Sequence, residues 1–296
     1  MKGACTRPVG CICIVILLCS PKLSAQNFQL AGFEYTIYPS AEVDNAQQEG
    51  DALFSEFHFF LNVPIPLKNG KTVLLHGLDY TLVSPDVESS VNSGLGVTNL
   101  HVIGYRLTLL HQLRNNWRLV AQTNPFISST LNTNLERDDF LLNGVVQLVK
   151  TKSEHLNYGF GVARTAILGV QRLLPILQLN LRSGNGNLQM LLPKMISYDY
   201  SFGRLSAGLQ LSVMGSQYNV NYAVSNPLGV DEAVDKLAYA RVLLGPTLRY
   251  KVGKLLQLET SAGLVTARRF EARGDLVMDE TSDIANGPFF EIGFRS

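Results

Sequence analysis

The sequence predicts an all-β chain folded into a closed antiparallel transmembrane β-barrel of about fourteen strands, with twelve possible. Three observations predict it. Apolar and polar residues alternate with period two over long runs, short turns alternate with longer segments, and acidic groups concentrate in the longer segments. The 296 residues are 46% apolar and 17% charged, below the roughly 25% charged fraction of soluble domains. A formal charge of +1 excludes a nucleic-acid binder that relies on bulk basicity.

The first element is a leader. Lys2 and Arg7 precede an apolar run from Val9 to Cys19, and Leu23-Ser24-Ala25-Gln26 offers a small residue before a polar one. The run is too short to span a bilayer, so residues 1–25 read as an export signal cleaved after Ala25. Cleavage removes three basic groups and no acidic one, giving a charge of −2, and removes all four cysteines, Cys5, Cys11, Cys13 and Cys19. The mature domain, 26–296, is then neither a disulfide scaffold, a thiol enzyme nor a zinc-thiolate protein.

The strands follow from the alternation. Between 205 and 216, Leu205, Ala207, Leu209, Leu211 and Val213 face one way, and Ser206, Gly208, Gln210, Ser212 and Ser216 the other. Similar patterns place strands near 28–38, 53–66, 71–83, 98–113, 117–128, 140–150, 156–167, 173–182, 187–192, 195–202, 204–218, 237–251, 255–270 and 287–295. The two short runs beside Pro193 carry the weakest pattern. Most of the others reach the roughly 9 to 11 residues that a tilted strand needs to cross a bilayer.

Short turns at 68–71, 114–116, 151–155, 183–186, 202–204 and 251–254 fall on one rim. Longer loops near 39–52, 84–97, 129–139, 219–236 and 271–286 fall on the other, the arrangement of an outer-membrane barrel with short periplasmic turns. Of 24 acidic groups, 17 lie in these five loops. The six on strands, Glu34, Glu56, Asp79, Asp199, Glu259 and Glu291, all occupy the polar side of the alternation. The short-turn rim is basic, and Trp117, Tyr158, Tyr218, Tyr250 and Phe294 stand near strand ends, where interfacial girdles form.

Backbone in lipid cannot hydrogen-bond to water, so such strands must close on themselves. Their polar faces would line a lumen with Glu34, Glu56, His58, Asp79, Arg106, Arg182, Asp199, Arg241, Arg249, Glu259 and Glu291, joined by Gln178 and Gln210. This lining suits passage of small polar solutes; the plainer reading is ion pairs that neutralise a wet interior. Fourteen strands lie between a filled eight-stranded barrel and a wide sixteen-stranded pore. With a first strand starting at Phe28, an N-terminal plug has no room.

Nothing suggests an enzyme. His58, His76, His101, His111 and His155 are dispersed, and neither a His-Glu-x-x-His nor a Gly-x-Ser-x-Gly pattern occurs. A lipid hydrolase built from separate strands is the weakest reading, and no catalytic residue or cofactor is assigned. Acidic pairs such as Asp138-Asp139, Asp231-Glu232 and Asp279-Glu280 suit either solvated loops or divalent cations bridging to anionic lipid. Arg268, Arg269 and Arg273, near the external end of their strand, are placed to meet lipid phosphates.

Leu100-His101-Val102-Ile103-Gly104-Tyr105, Leu110-His111-Gln112-Leu113 before Trp117, Asp138-Asp139-Phe140, Leu191-Leu192-Pro193 and Ser197-Tyr198-Asp199-Tyr200 resemble an uncharacterised family of bacterial outer-membrane β-barrels, domain of unknown function 6268. The resemblance implies fold and location and supplies no ligand or catalytic residues. Unlike barrels that end in an aromatic residue, this chain follows Phe294 with Arg295 and Ser296. The expected role is an outer-membrane channel or transporter for small solutes, the alternative a non-conducting barrel binding lipid or a partner. The expected partners are outer-membrane lipid or lipopolysaccharide, the barrel-assembly machinery and a small solute.

Overall fold

The computed structural model describes residues 29–45, 48–89, 99–132, 134–225, 231–253, 255–273 and 280–296. The expected leader, 1–25, and the segments 90–98, 226–230 and 274–279 of three long connections lie outside the described residues.

Alternating side chains and unbroken backbone pairing give fifteen strands: β1 (Ala31–Asn45), β2 (Gln48–Pro66), β3 (Thr72–Ser89), β4 (Leu100–Gln112), β5 (Trp117–Ser129), β6 (Phe140–Thr151), β7 (Leu156–Thr165), β8 (Arg172–Ser183), β9 (Gly186–Leu192), β10 (Met195–Phe202), β11 (Leu205–Ser225), β12 (Asp231–Val252), β13 (Leu256–Arg273), β14 (Glu280–Ile284) and β15 (Gly287–Arg295). β14 and β15 occupy one wall position between β13 and β1, interrupted at Ala285 and Asn286. The wall therefore has fourteen positions, all neighbours in it are antiparallel, and β1 closes it against β14 and β15.

Alternation sorts the two faces. Outside stand Leu173 (73% exposed), Phe140 (60%) and Leu264 (57%), whereas Glu34, Glu56, Asp79, Asp199, Glu259 and Glu291 point inward. Oily side chains outside and a saturated backbone ladder suit hydrocarbon, where an unpaired peptide group costs several kcal/mol. Three outward histidines find hydroxyl partners across the β3–β4 ladder: His111 with Thr72 (2.8 Å), His76 with Tyr105 (2.6 Å) and His101 with Tyr80 (3.0 Å). At the short-turn rim, Trp117 meets Tyr158 and Phe160 edge-on, and Lys150 lies over its indole. In the β4–β5 turn Asn115 and Asn116 both take positive φ, 55° and 57°, the conformation a tight hairpin demands.

The structure corrects the long loops. Residues expected in loops at 39–52, 84–97, 219–236 and 271–286 largely continue the strands: β1 pairs with β2 up to Asn45 and Gln48, β3 runs to Ser89, β11 meets β12 up to Ser225 and Asp231, and β13 reaches Ala272 opposite Glu280. There polar, acidic and small residues break the apolar alternation while the backbone pairing persists, so the period-two signal disappears.

The wall is also uneven. β6 to β10 have 7 to 12 residues against 15 to 22 in β1–β3 and β11–β13. Above the short strands the free edge of β5 meets that of β11. Ser129 bridges Asn219 in parallel, and the Ser128 hydroxyl donates to the Gln217 carbonyl at 2.6 Å. The β7–β8 connection lies on the outer face of β11 and β12. A side chain at Gly215 would meet the Ile167 carbonyl at 2.5 Å, and one at Gly169 would touch Ala238 and Ala240. The buried apolar core fills the interior at this upper level, with Tyr38, Phe54, Tyr218, Val234, Tyr239 and Val265 at 2% exposure or less.

Candidate lumen site

The inward charges form two tiers. Nearest the short turns, a chain of ion pairs crosses the wall. His58 on β2 faces Glu34 on β1 (3.8 Å), and Glu34 pairs with Arg295 on β15 (2.7 Å). Arg295 reaches Glu259 on β13 (3.2 Å), Glu259 pairs with Arg249 on β12 (3.2 Å), and Arg249 pairs with Asp199 on β10. Gln210 of β11 accepts from Arg249 at 3.3 Å. On the other side Arg106 pairs with Asp79 between β4 and β3 (3.1 Å), and Gln147 donates to Gln178 between β6 and β8 (2.9 Å). Glu291 accepts from Thr36 (3.1 Å) and Ser261 (3.3 Å).

The ladder builds this belt by placing glycine opposite three of the carboxylates. Gly104 pairs with Asp79, Gly208 with Asp199 and Gly293 with Glu34. A Cβ at Gly104 would fall 2.4 Å from Asp79 Oδ2, and one at Gly208 2.3 Å from Asp199 Oδ1. The missing side chains let the carboxylates lie along the wall toward their guanidinium partners. The belt is wet at His58 and Arg106, whose side chains are about one third exposed (34% and 32%), and buried at Asp199 and Glu259.

Farther in lies a dry layer. Arg241 on β12 is ion-paired with Glu56 on β2, donates to the Tyr38 hydroxyl at 2.9 Å and lies over the Tyr239 ring at 4.7 Å. Phe54 stacks with Tyr239 at 5.8 Å. Arg268, 1% exposed, has its guanidinium over Phe54 (4.9 Å) and Tyr38 (5.4 Å). Side chains from β1, β2, β12 and β13 thus meet across the interior and obstruct it.

Of the residues singled out from the sequence, Glu34, His58, Asp79, Arg106, Asp199, Arg249 and Glu259 meet in the wet belt, which Glu291 flanks, while Glu56 and Arg241 meet in the dry layer. Arg182 stands apart, exposed at the short-turn end of β8. Two interior residues were missed. Lys194, at the tip of the short β9–β10 hairpin, is water-exposed and within electrostatic reach of Glu34, Asp79, Arg106 and Arg295. Its only sequence signal is a lysine in the two-residue link Pro193-Lys194.

Arg268 is the second and a correction, because strict alternation points it to the outside, where lipid phosphates were expected to meet it. A bulge intervenes. Ala240 pairs with Arg269 but Val242 with Thr266, so Ala267 is an extra residue with φ 49°, and every later side chain in β13 changes face. The acidic-pair reading for cations gains no geometry. The Asp139 carboxylate accepts from Glu136 N at 2.7 Å, Asp138 approaches Lys236 at 3.9 Å, and among the described residues no group of three metal-ligating side chains gathers. Glu232 and Asp279 belong to the parts whose side chains are not described.

Fold and site define a closed antiparallel barrel with an ion-paired polar belt beneath an occluding aromatic–arginine layer. The chain belongs to the family described as a domain of unknown function (DUF6268), whose model matches residues 30–295. Solved structures of similar shape include an outer-membrane channel from Pseudomonas putida F1, 10% identical over 93% of this chain and 100% of that one, TM-score 0.40. The toluene transporter TodX of Pseudomonas putida is 10% identical over 92% and 90%, TM-score 0.35. A mutant porin of Rh. blastica is 9% identical over 90% and 98%, TM-score 0.33. No curated protein matches the chain.

Proposed function

We propose that this protein is an outer-membrane channel for small solutes, closed in the described state. The observation that carries the reading is the wet belt: charged side chains from β1 to β4, β10, β12, β13 and β15 face a shared interior, open to water at His58 and Arg106, and neutralise one another there. A barrel whose interior served only to hold it together would gain more from apolar packing, because partly exposed pairs contribute about 0 to 1 kcal/mol each. The apolar outer belt, and an export signal if residues 1–25 act as one, support a location in the outer membrane.

Opening requires the dry layer to part. Purified protein in a planar bilayer is expected to show discrete conductance steps of low open probability, and Arg241→Met to raise that probability by loosening Glu56 and Tyr38. Silence of both proteins across voltage and salt would reject the channel. A second reading, a non-conducting envelope barrel, is favoured by the completeness of the layer, in which Tyr38 and Tyr239 are fully buried.

A further inference from the structure

The dry layer contains an imbalance that the channel reading leaves unused. It brings two guanidiniums, Arg241 and Arg268, to one carboxylate, Glu56, whose Oε2 is held by Arg241 while Oε1 is buried without a hydrogen-bond partner among the described residues. All three guanidinium nitrogens of Arg268, Nε, Nη1 and Nη2, are buried without a hydrogen-bond partner among the described residues. Around it stand the Tyr239 hydroxyl and the ring faces of Phe54 and Tyr38, none of which carries a counter-charge. Burying a cation is costly unless it is both paired and hydrogen-bonded, and ring faces supply neither an acceptor nor a full counter-charge. The bulge at Ala267 makes the position more telling, since an unbroken alternation through Ala267 would turn Arg268 outward, and the chain adopts an unfavourable positive φ at an alanine where Arg268 turns inward.

We infer that Arg268 is the recognition point for a small organic carboxylate with an apolar body. A guanidinium presents a fork of donors that matches the two oxygens of a carboxylate, and the surrounding Tyr38, Phe54 and Val265 suit an apolar or aromatic body. Glu56 does not oppose such a ligand, because Arg241 neutralises it. The inference rests on the channel reading for the route by which the solute arrives, through the wet belt and past the aromatic rings. A carboxylate bound at Arg268 would pair the spare cation and compete with the ring contacts that hold the layer closed.

Binding is measured by calorimetry on the detergent-purified full barrel, with benzoate as the probe and benzamide as its neutral isostere, in chloride-free buffer. Benzoate is expected to bind at least ~10-fold more tightly than benzamide. Arg268→Gln should abolish the difference, Arg268→Lys should keep part of it, and Arg295→Gln in the wet belt should leave it intact. Equal binding of the two probes by the natural protein, or undiminished benzoate binding by Arg268→Gln, overturns the assignment. So does displacement of benzoate by equimolar chloride, which would mean a site for any anion. Should Arg268→Gln fail to fold, the probe comparison on the natural protein and on Arg268→Lys decides alone. Conductance does not enter this measurement: a barrel that binds benzoate but never conducts would remove the channel and leave the site.

Discussion

Glu56 and Arg241 form a buried pair, but their removal should not cost the same. Glu56→Gln leaves two guanidiniums, those of Arg241 and Arg268, in a dry layer without a carboxylate. Removing one partner of a buried pair typically costs about 3 to 5 kcal/mol. Arg241→Met leaves Glu56 with Arg268 still within electrostatic reach. The losses are then the hydrogen bond to the Tyr38 hydroxyl, about 1 kcal/mol, and the contact with the Tyr239 ring, about 0.5 to 2 kcal/mol. The expected gap is about 2 kcal/mol, with Glu56→Gln the less stable. Reversible urea unfolding in lipid vesicles, read from heat-modifiable gel mobility, measures both. The decisive background is Arg268→Met, in which Arg241→Met loses its substitute and should become as costly as the removal of a partner from any buried pair. If Arg241→Met matches Glu56→Gln with Arg268 present, or if its cost is unchanged in Arg268→Met, then Arg268 does not share the field of Glu56 and the account of this layer is wrong.

Three further outcomes follow from the geometry. Gly208→Val would place carbon 2.3 Å from Asp199 Oδ1 and 2.5 Å from the Tyr198 carbonyl, so it should break the Arg249–Asp199 pair and lower stability by about 1 to 3 kcal/mol in the same unfolding assay; an unshifted midpoint would refute the close approach. Ala267→Gly should stabilise by about 1 kcal/mol by relieving the left-handed backbone, and deletion of Ala267 should be tolerated because Val265 and Arg268 would still share the inner face; a destabilised Ala267→Gly would count against the bulge. Ser129→Cys with Asn219→Cys should cross-link under mild oxidation, since these residues bridge β5 and β11 and no native cysteine follows Cys19; failure to cross-link in folded protein would disprove the seam.

Much of the wall was legible because lipid imposes one rule on one face. Phe290, Ile292 and Phe294 alternate with Glu291 and Gly293, and only one register buries the carboxylate and exposes the oily groups, so strand limits and inward residues could be read together. Legibility stopped where that rule lapsed. Residues 39–45 and 219–225 remain in the ladder, but their apolar–polar alternation is broken, so they read as loop. The bulge at Ala267 was hidden because alanine is acceptable on either face and nothing local marks a positive φ. The β5–β11 seam was out of reach for a different reason: it joins strands six wall positions apart, and the alternation of neither strand marks a partner there.

The two tiers differ in what their charges can do. In the wet belt Glu34, Asp79, Asp199, Glu259 and Glu291 face Arg106, Arg249, Arg295, Lys194 and His58, nearly in balance, with water reaching His58 and Arg106. Such groups shape the potential along a path at little energetic consequence to folding, which the closed backbone ladder supports in any case. The dry layer holds one carboxylate against two guanidiniums, and low dielectric magnifies that excess. An anion in the vestibule therefore sees a nearly neutral wall beside it and an unbalanced positive charge behind a sheet of aromatic rings. Selection for anions would act at the layer and not at the mouth, so neutralising belt residues singly should alter conductance more than ion preference, whereas neutralising Arg268 should alter preference first.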